Sequence, residues 1–118
     1  MSRNQKLSKE LVRGTTSLIV LSVLRREDLY GYQIIRTLET LSEDVFSLNE
    51  GTLYPILHSL EKEGYLTCRW EETDSARKRK YYHITEKGIR ELERQKAQWE
   101  VYQGAVSKIL GGAGHAFA

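Results

Sequence analysis

Residues 47–85 read SLNEGTLYPILHSLEKEGYLTCRWEETDSARKRKYYHIT. The first half carries a helical period. Leu53, Ile56, Leu57 and Leu60 recur at spacings of three and four, and Gly64 stops the run. Asn49 is placed to cap the helix by accepting from a free first-turn amide; Ser47 is the alternative, with Glu50 completing an S-x-x-E box. Pro55 removes a backbone donor beyond the first turn, so either that turn is irregular or the regular helix begins late. In the second half the period changes. Residues 65–70 and 80–84 are rich in aromatic and β-branched side chains, and the polar stretch 71–79 between them suits the exposed tip of a hairpin.

Upstream, residues 8–26 read as one long helix with Leu11, Thr15, Leu18, Leu21 and Leu24 on one stripe. Ile19, Val20 and Val23 carry the apolar surface most of the way round, so more than one side should be covered. A connector, Glu27-Asp28-Leu29, leads to a second helix over 32–41, striped by Ile34, Ile35, Leu38 and Leu41. Residues 42–49 form a linker. Downstream, a last helix starts near Thr85 or Glu86. Leu92, Trp99 and Val106 repeat at seven along it, and Ile89, Tyr102 and Ile109 stand three residues from members of that row. Gly111 and Gly112 end it.

The order helix, helix, helix, hairpin, long helix is that of a mainly α (α+β) fold: a winged helix-turn-helix domain over 1–84, a C-terminal dimerisation helix over 85–110, and a disordered tail over 111–118. In such a fold the third helix enters a major groove and the hairpin wing reaches the flanking backbone. The outer face of the third helix offers Thr52, Tyr54, Pro55, His58 and Ser59, several of which can bond phosphates or base edges. Arg77, Lys78, Arg79 and Lys80 lie on the far side of the hairpin tip, where strand alternation sends Arg77 and Arg79 one way and Lys78 and Lys80 the other.

The 118 residues suit one domain, and 40 % hydrophobic content with one proline is a folding composition. The net charge of +2 hides a partition: +5 over residues 1–26, −8 over 27–76 and +5 over 77–118. The helix-turn-helix is the acidic part, so attraction to a polyanion falls to the wing and to Arg3, Lys6, Lys9 and Arg13. One cysteine excludes an intramolecular disulfide and any all-cysteine metal site. His58, His83 and His115 are too scattered to be read as metal ligands, so neither metal nor cofactor is expected. Cys68 could meet His83 across the hairpin, but a buried structural thiol is the stronger reading, and no enzyme motif is present. No apolar run approaches the ~20 residues of a membrane span, and the N-terminus has no secretory pattern, so a cytoplasmic location is expected.

Three segments carry a family resemblance. Residues 11–38 read LVRGTTSLIVLSVLRREDLYGYQIIRTL, residues 47–66 read SLNEGTLYPILHSLEKEGYL, and residues 79–88 read RKYYHITEKG. Together they resemble the PadR family of bacterial transcriptional regulators, in its small subfamily with a single C-terminal helix. The resemblance implies a homodimer that represses its own promoter or that of a neighbouring efflux or detoxification gene, with the last helix packed on the partner's first helix. It implies DNA contacts from Thr52, Leu53, Tyr54 and Pro55, from the basic wing at Arg79 to Tyr82, and from Tyr32 and Gln33 near the phosphate backbone. Trp99 falls where some members stack a planar aromatic effector, and Tyr102 is placed to form a second wall. The wing tip departs from the family in lacking glycine, so either the wing is wider or Asp74 or Ser75 makes the turn.

The dimer seam is expected to use Leu11, Leu18, Leu92, Trp99, Val106 and Leu110. Trp99 has a competing role as plain interface core. Tyr81 and Tyr82 should face opposite ways, with Trp70 pairing with either across the hairpin. Two functions of other classes stay open: a winged-helix protein–protein adaptor without DNA binding, and a small-molecule-binding dimer without regulatory output.

Overall fold

The computed structural model describes residues 7–111. The initial apolar segment forms two helices, α1 (Lys9–Arg13) and α2 (Thr16–Arg26), in place of the single helix read from its period. The break falls at Gly14 and Thr15, where the Thr15 and Thr16 hydroxyls both donate to the Val12 carbonyl at 3.1 and 3.0 Å. These side-chain bonds compete with the helical ladder, and the apolar spacing carries no trace of them.

The connector holds a strand that the sequence reading did not anticipate, β1 (Leu29–Tyr30), followed by α3 (Gly31–Leu41). The recognition-helix candidate is α4 (Glu50–Lys62), and the hairpin is β2 (Leu66–Glu72) and β3 (Lys78–Ile84). The strands form one antiparallel sheet in the order β1-β3-β2. Asn49 caps α4, its side chain accepting from the Thr52 amide at 2.9 Å. Pro55 lies inside the regular helix, so neither an irregular first turn nor a late start occurs. Gly51, whose carbonyl would have accepted from residue 55, is exposed, as is Pro55, so water can satisfy that carbonyl.

The core gathers one face of every element: Val20, Leu21 and Leu24 from α2, Ile34 from α3, Leu53, Leu57 and Leu60 from α4, and Leu66, Tyr82 and Ile84 from the sheet. Tyr82 points inward at 4 % exposure, while Tyr81 faces outward edge-on to Tyr30, 5.4 Å between ring centres. Trp70 pairs with neither tyrosine, because the register sets it opposite Lys80 and sets Cys68 opposite Tyr82. The suggested Cys68–His83 pair is also absent. Cys68 faces α4, its thiol donating to Glu61 at 3.0 Å, while His83 stands on the outer face with Nδ1 2.8 Å from Asp28.

The glycine-free wing tip closes through Thr73. Its amide and hydroxyl both donate to the Arg77 carbonyl, at 2.9 and 2.8 Å, and its carbonyl accepts from the Ala76 amide at 3.0 Å. The left-handed position falls on Ala76, with φ +63°.

The last helix, α5 (Glu86–Ile109), begins at Thr85, whose hydroxyl accepts from the Gly88 amide at 2.9 Å and donates to the Gly64 carbonyl at 2.8 Å. Its first turns pack on α2 and the sheet, where Leu92 is 5 % exposed. That burial corrects one expectation: Leu92 belongs to the core of its own chain and is not free for a dimer seam. Beyond the Gln95–Ser17 hydrogen bond of 3.3 Å, the helix leaves the body and gives the molecule a long axis of 64 Å against 32 and 22 Å. Residues 112–118, where a disordered tail was expected, lie outside the described residues, as do Arg3, Lys6 and His115.

Candidate nucleic-acid interface

The start of α3, the start of α4 and the wing enclose a groove of ≈ 550 Å³. Its lining includes Tyr32 from α3, Glu50 and Tyr54 from α4, Trp70 from β2, and Arg77, Lys78, Arg79 and Lys80. Tyr32 and Tyr54 are 58 % and 43 % exposed. Tyr54 reaches the groove by lying across Gly31: a Cβ at position 31 would collide with the Tyr54 hydroxyl and stand 2.9 Å from Cζ. The absence of a side chain at the first residue of α3 therefore sets where the Tyr54 ring rests.

The four basic residues do not present equal charge. The Lys80 ammonium is 3.6 Å from the Glu61 carboxylate and 5.3 Å from the centre of the Tyr82 ring. Partial desolvation works against its charge, but Tyr82 and Glu61 outweigh that and hold its pKa above the ordinary lysine value. Glu61 is held below the usual carboxylate range, chiefly by the bond from the Cys68 thiol, and that same bond pushes the thiol up. The Arg79 guanidinium lies on the other face of the hairpin, 4.5 Å from the centre of the Tyr30 ring. Arg77 and Lys78 make no ion pair among the described residues. The uncommitted positive charge thus sits at the tip of the wing.

Arg69, although basic and on the wing, is fully engaged. It donates to Asp28 and Glu71, each at 2.6 Å, and lies 5.2 Å from the centre of the Tyr81 ring. Burial pushes the Asp28 carboxyl up, but the bonds from His83 and Arg69 overcome it and leave the group below its ordinary value. This network ties the approach to β1 onto β2 and β3 and braces the sheet behind the groove.

The other expected contact residues separate. Leu53 is fully buried, so the family-implied contact at that position is corrected to a core role. The Gln33 side-chain oxygen Oε1 accepts from the Tyr30 backbone amide at 3.2 Å, capping α3. Thr52 faces a second groove of ≈ 980 Å³, with Arg13, Phe46, Asn49 and Ile56 among its lining. Pro55 and His58 are exposed on α4 outside both grooves. Glu50 and Trp70 line the wing groove without having been singled out for it. Alternation along β2 from Leu66 through Cys68 is the signal that could have placed Trp70 on the helix-facing side. Trp99 and Tyr102 lie on the projecting half of α5 with ring centres 6.4 Å apart and planes tilted by 39°. Among the described residues no cluster of His, Cys, Asp and Glu is arranged to hold a metal ion, and no helix is long and apolar enough to cross a membrane.

A helix-turn-helix joined to a basic wing by one groove defines the winged-helix class of DNA-binding folds. Residues 20–94 match the family model of the transcriptional regulator PadR-like family. The chain is 40 % identical to a PadR family transcriptional regulator of Eggerthella lenta, over 86 % of each chain, with a TM-score of 0.76. A transcriptional regulator of Clostridium thermocellum superposes with a TM-score of 0.79 at 31 % identity, covering 85 % of this chain and 97 % of that one. The transcriptional regulator YqjI of Escherichia coli is 30 % identical over 85 % of this chain, a match that spans 46 % of YqjI itself. The chain belongs to the PadR-like family, whose members are transcriptional regulators and not enzymes.

Proposed function

We propose that the chain acts in the cytoplasm as a homodimeric, ligand-responsive repressor. Its target would be a partly palindromic double-stranded DNA operator before its own gene or a neighbouring efflux or detoxification gene. The observation that carries this reading is the wing groove, which joins Tyr32 and Tyr54 to the Arg77–Lys80 run. A duplex strand passing between α4 and the wing would meet hydroxyl donors on one wall and cations on the other.

Residues 1–84 serve as the reading head and 85–110 as the dimerisation arm. The exposed surfaces of Leu11, Trp99 and Leu110 support that arm, as do the half-covered Leu18 and Val106. Two heads would enter successive major grooves ~34 Å apart. A planar aromatic effector held by Trp99 and Tyr102 at the seam would change head spacing, and it can shift the equilibrium only by its differential affinity for the two arrangements.

A mobility-shift titration tests the core of the proposal. A fragment from upstream of the gene should be retarded at protein concentrations that leave random duplex free. The log–log salt slope should be about −0.9 per neutralised phosphate. Weak binding with no preference across that region would count against a sequence-specific regulator.

A further inference from the structure

We infer that Trp70 forms the wall of a seat for the sugar–phosphate backbone of double-stranded DNA, its indole lying on deoxyribose while the wing-tip cations hold the flanking phosphates. The inference rests on the DNA-binding reading above and adds a residue that neither the winged-helix plan nor the basic run contains.

Three observations carry it. The first is placement. Alternation sends Leu66, Cys68 and Trp70 to the helix-facing side of the sheet, and their cover falls away along the strand. Leu66 is 1 % exposed, Cys68 is half-covered against Glu61, and Trp70 is 63 % exposed. The core face outruns the core, so the indole projects into the groove beside Tyr54 and Tyr32. The second is that the ring is unclaimed. Tyr30, Tyr65, Tyr81 and Tyr82 each hold a cation over their rings, whereas Trp70 makes no ring contact, cation contact or hydrogen bond through its indole N–H among the described residues. A large apolar side chain left bare beside a charged patch is an informative feature of a surface.

The third is complementarity. Arg77 and Lys78, which make no ion pair among the described residues, and Lys80, paired with Glu61, line the groove against one acid of its own, Glu50, and Trp70 stands opposite Lys80 in the strand register. Anionic oxygens alternating with apolar sugar rings are what such a wall fits. Because deoxyribose is common to every nucleotide, the contact adds affinity without sequence preference.

The test exploits the presence of only two tryptophans in the chain. The parent chain and Trp70→Phe are compared, so the emission response present only in the parent is that of Trp70 and Trp99 stays in place. Fluorophore-labelled upstream duplex, random duplex and a single strand of equal length are titrated, following both label anisotropy and indole emission. The Trp70 emission should change in step with anisotropy for both duplexes. Trp70→Ala should weaken both by a similar factor, on the order of ten-fold, and Trp70→Phe should restore most of the loss.

Duplex binding with unchanged Trp70 emission would overturn the inference and leave the DNA reading intact. So would a folded Trp70→Ala protein, verified by circular dichroism, that binds as the parent does. Tighter binding of the single strand would also overturn it, in favour of stacking on bases. If the parent binds no duplex at all, the functional reading itself fails and the inference falls with it. Should Trp70→Ala not fold, the emission titration and Trp70→Phe decide the matter.

Discussion

Single residues in this chain do work that their chemical type conceals. Ala76 holds the left-handed corner of the wing with φ +63°, a conformation that costs a residue bearing a Cβ roughly 1–2 kcal/mol. Ala76→Gly should therefore raise stability by up to about 1 kcal/mol, read as a higher urea midpoint, with duplex affinity retained. Gly31 works the opposite way. An added methyl at that position would meet the movable end of Tyr54, not backbone. Gly31→Ala should leave the melting temperature nearly unchanged yet weaken duplex binding by displacing Tyr54 from the groove. A melting curve beside an anisotropy titration separates the two effects.

Glu91 supplies a pH dependence. Hydrogen bonds from Arg94 and Gln95 pull its carboxyl down to about 2, from an ordinary 4.5. The folded pKa lies below the unfolded one, so the stabilisation is complete above about pH 4.5 and drains away as pH falls toward 2. Arg94 is 56 % exposed, so solvent screening limits the contribution to roughly 1 kcal/mol. Glu91→Gln should be less stable than the parent at pH 7 and converge with it near pH 2, as urea melts across that range would show.

At the scale of elements, periodicity and capping chemistry make α4 and the hairpin legible in the sequence. Asn49 or Ser47 before the Leu53-Leu57-Leu60 stripe marked the start, and Gly64 the stop. What escaped was what periodicity cannot encode. A two-residue strand such as Leu29–Tyr30 is too short to show alternation and exists because β3 offers it an edge. The break at Gly14 hides inside an apolar pattern that continues across it. Pro55 invited doubt about α4, and only tertiary context shows that its missing bond faces water. The basic run of the groove was legible as charge. Its inequality was not, because the pairing of Lys80 with Glu61 depends on α4 lying against β2. The same holds for Trp70, whose exposure follows from where α4 stops covering the strand.

The first turn of α4 carries one acid into the groove, Glu50. An acid at a helix N-terminus favours the helix dipole by about 0.3–1 kcal/mol, but here it also faces the path of an anionic strand. Glu50→Gln should thus lower thermal stability slightly while tightening duplex binding. The salt slope should change little, since no new phosphate contact is made. Weaker binding by Glu50→Gln would show that Glu50 contacts the DNA by accepting from a base.

Across the whole molecule, the body and the arm differ in how their apolar surface is covered. The body closes its core within one chain. The outer half of α5 leaves Val101, Tyr102, Ile109 and Leu110 at 75, 65, 82 and 79 % exposure. A heptad row that begins with buried Leu92 and continues through Trp99 and Val106 passes from the chain's own core onto this bare arm, so one sequence repeat serves two different kinds of packing. The repeat could not say where the change occurs; the Gln95–Ser17 contact does. If a second copy covers the arm, Ile109→Glu removes an anchor without touching the body. The variant should keep its monomer fold, with stability changed by no more than about 0.5 kcal/mol, as is usual for an exposed site. Its mass by light scattering should fall from two chains toward one. Its affinity for a palindromic duplex should drop by roughly a hundred-fold or more, because the second head loses its tether, while a half-site duplex is bound as before. A parent protein that scatters as a single chain, or an Ile109→Glu protein that stays double, would remove the arm from the dimer and leave the exposed apolar half of α5 to another partner.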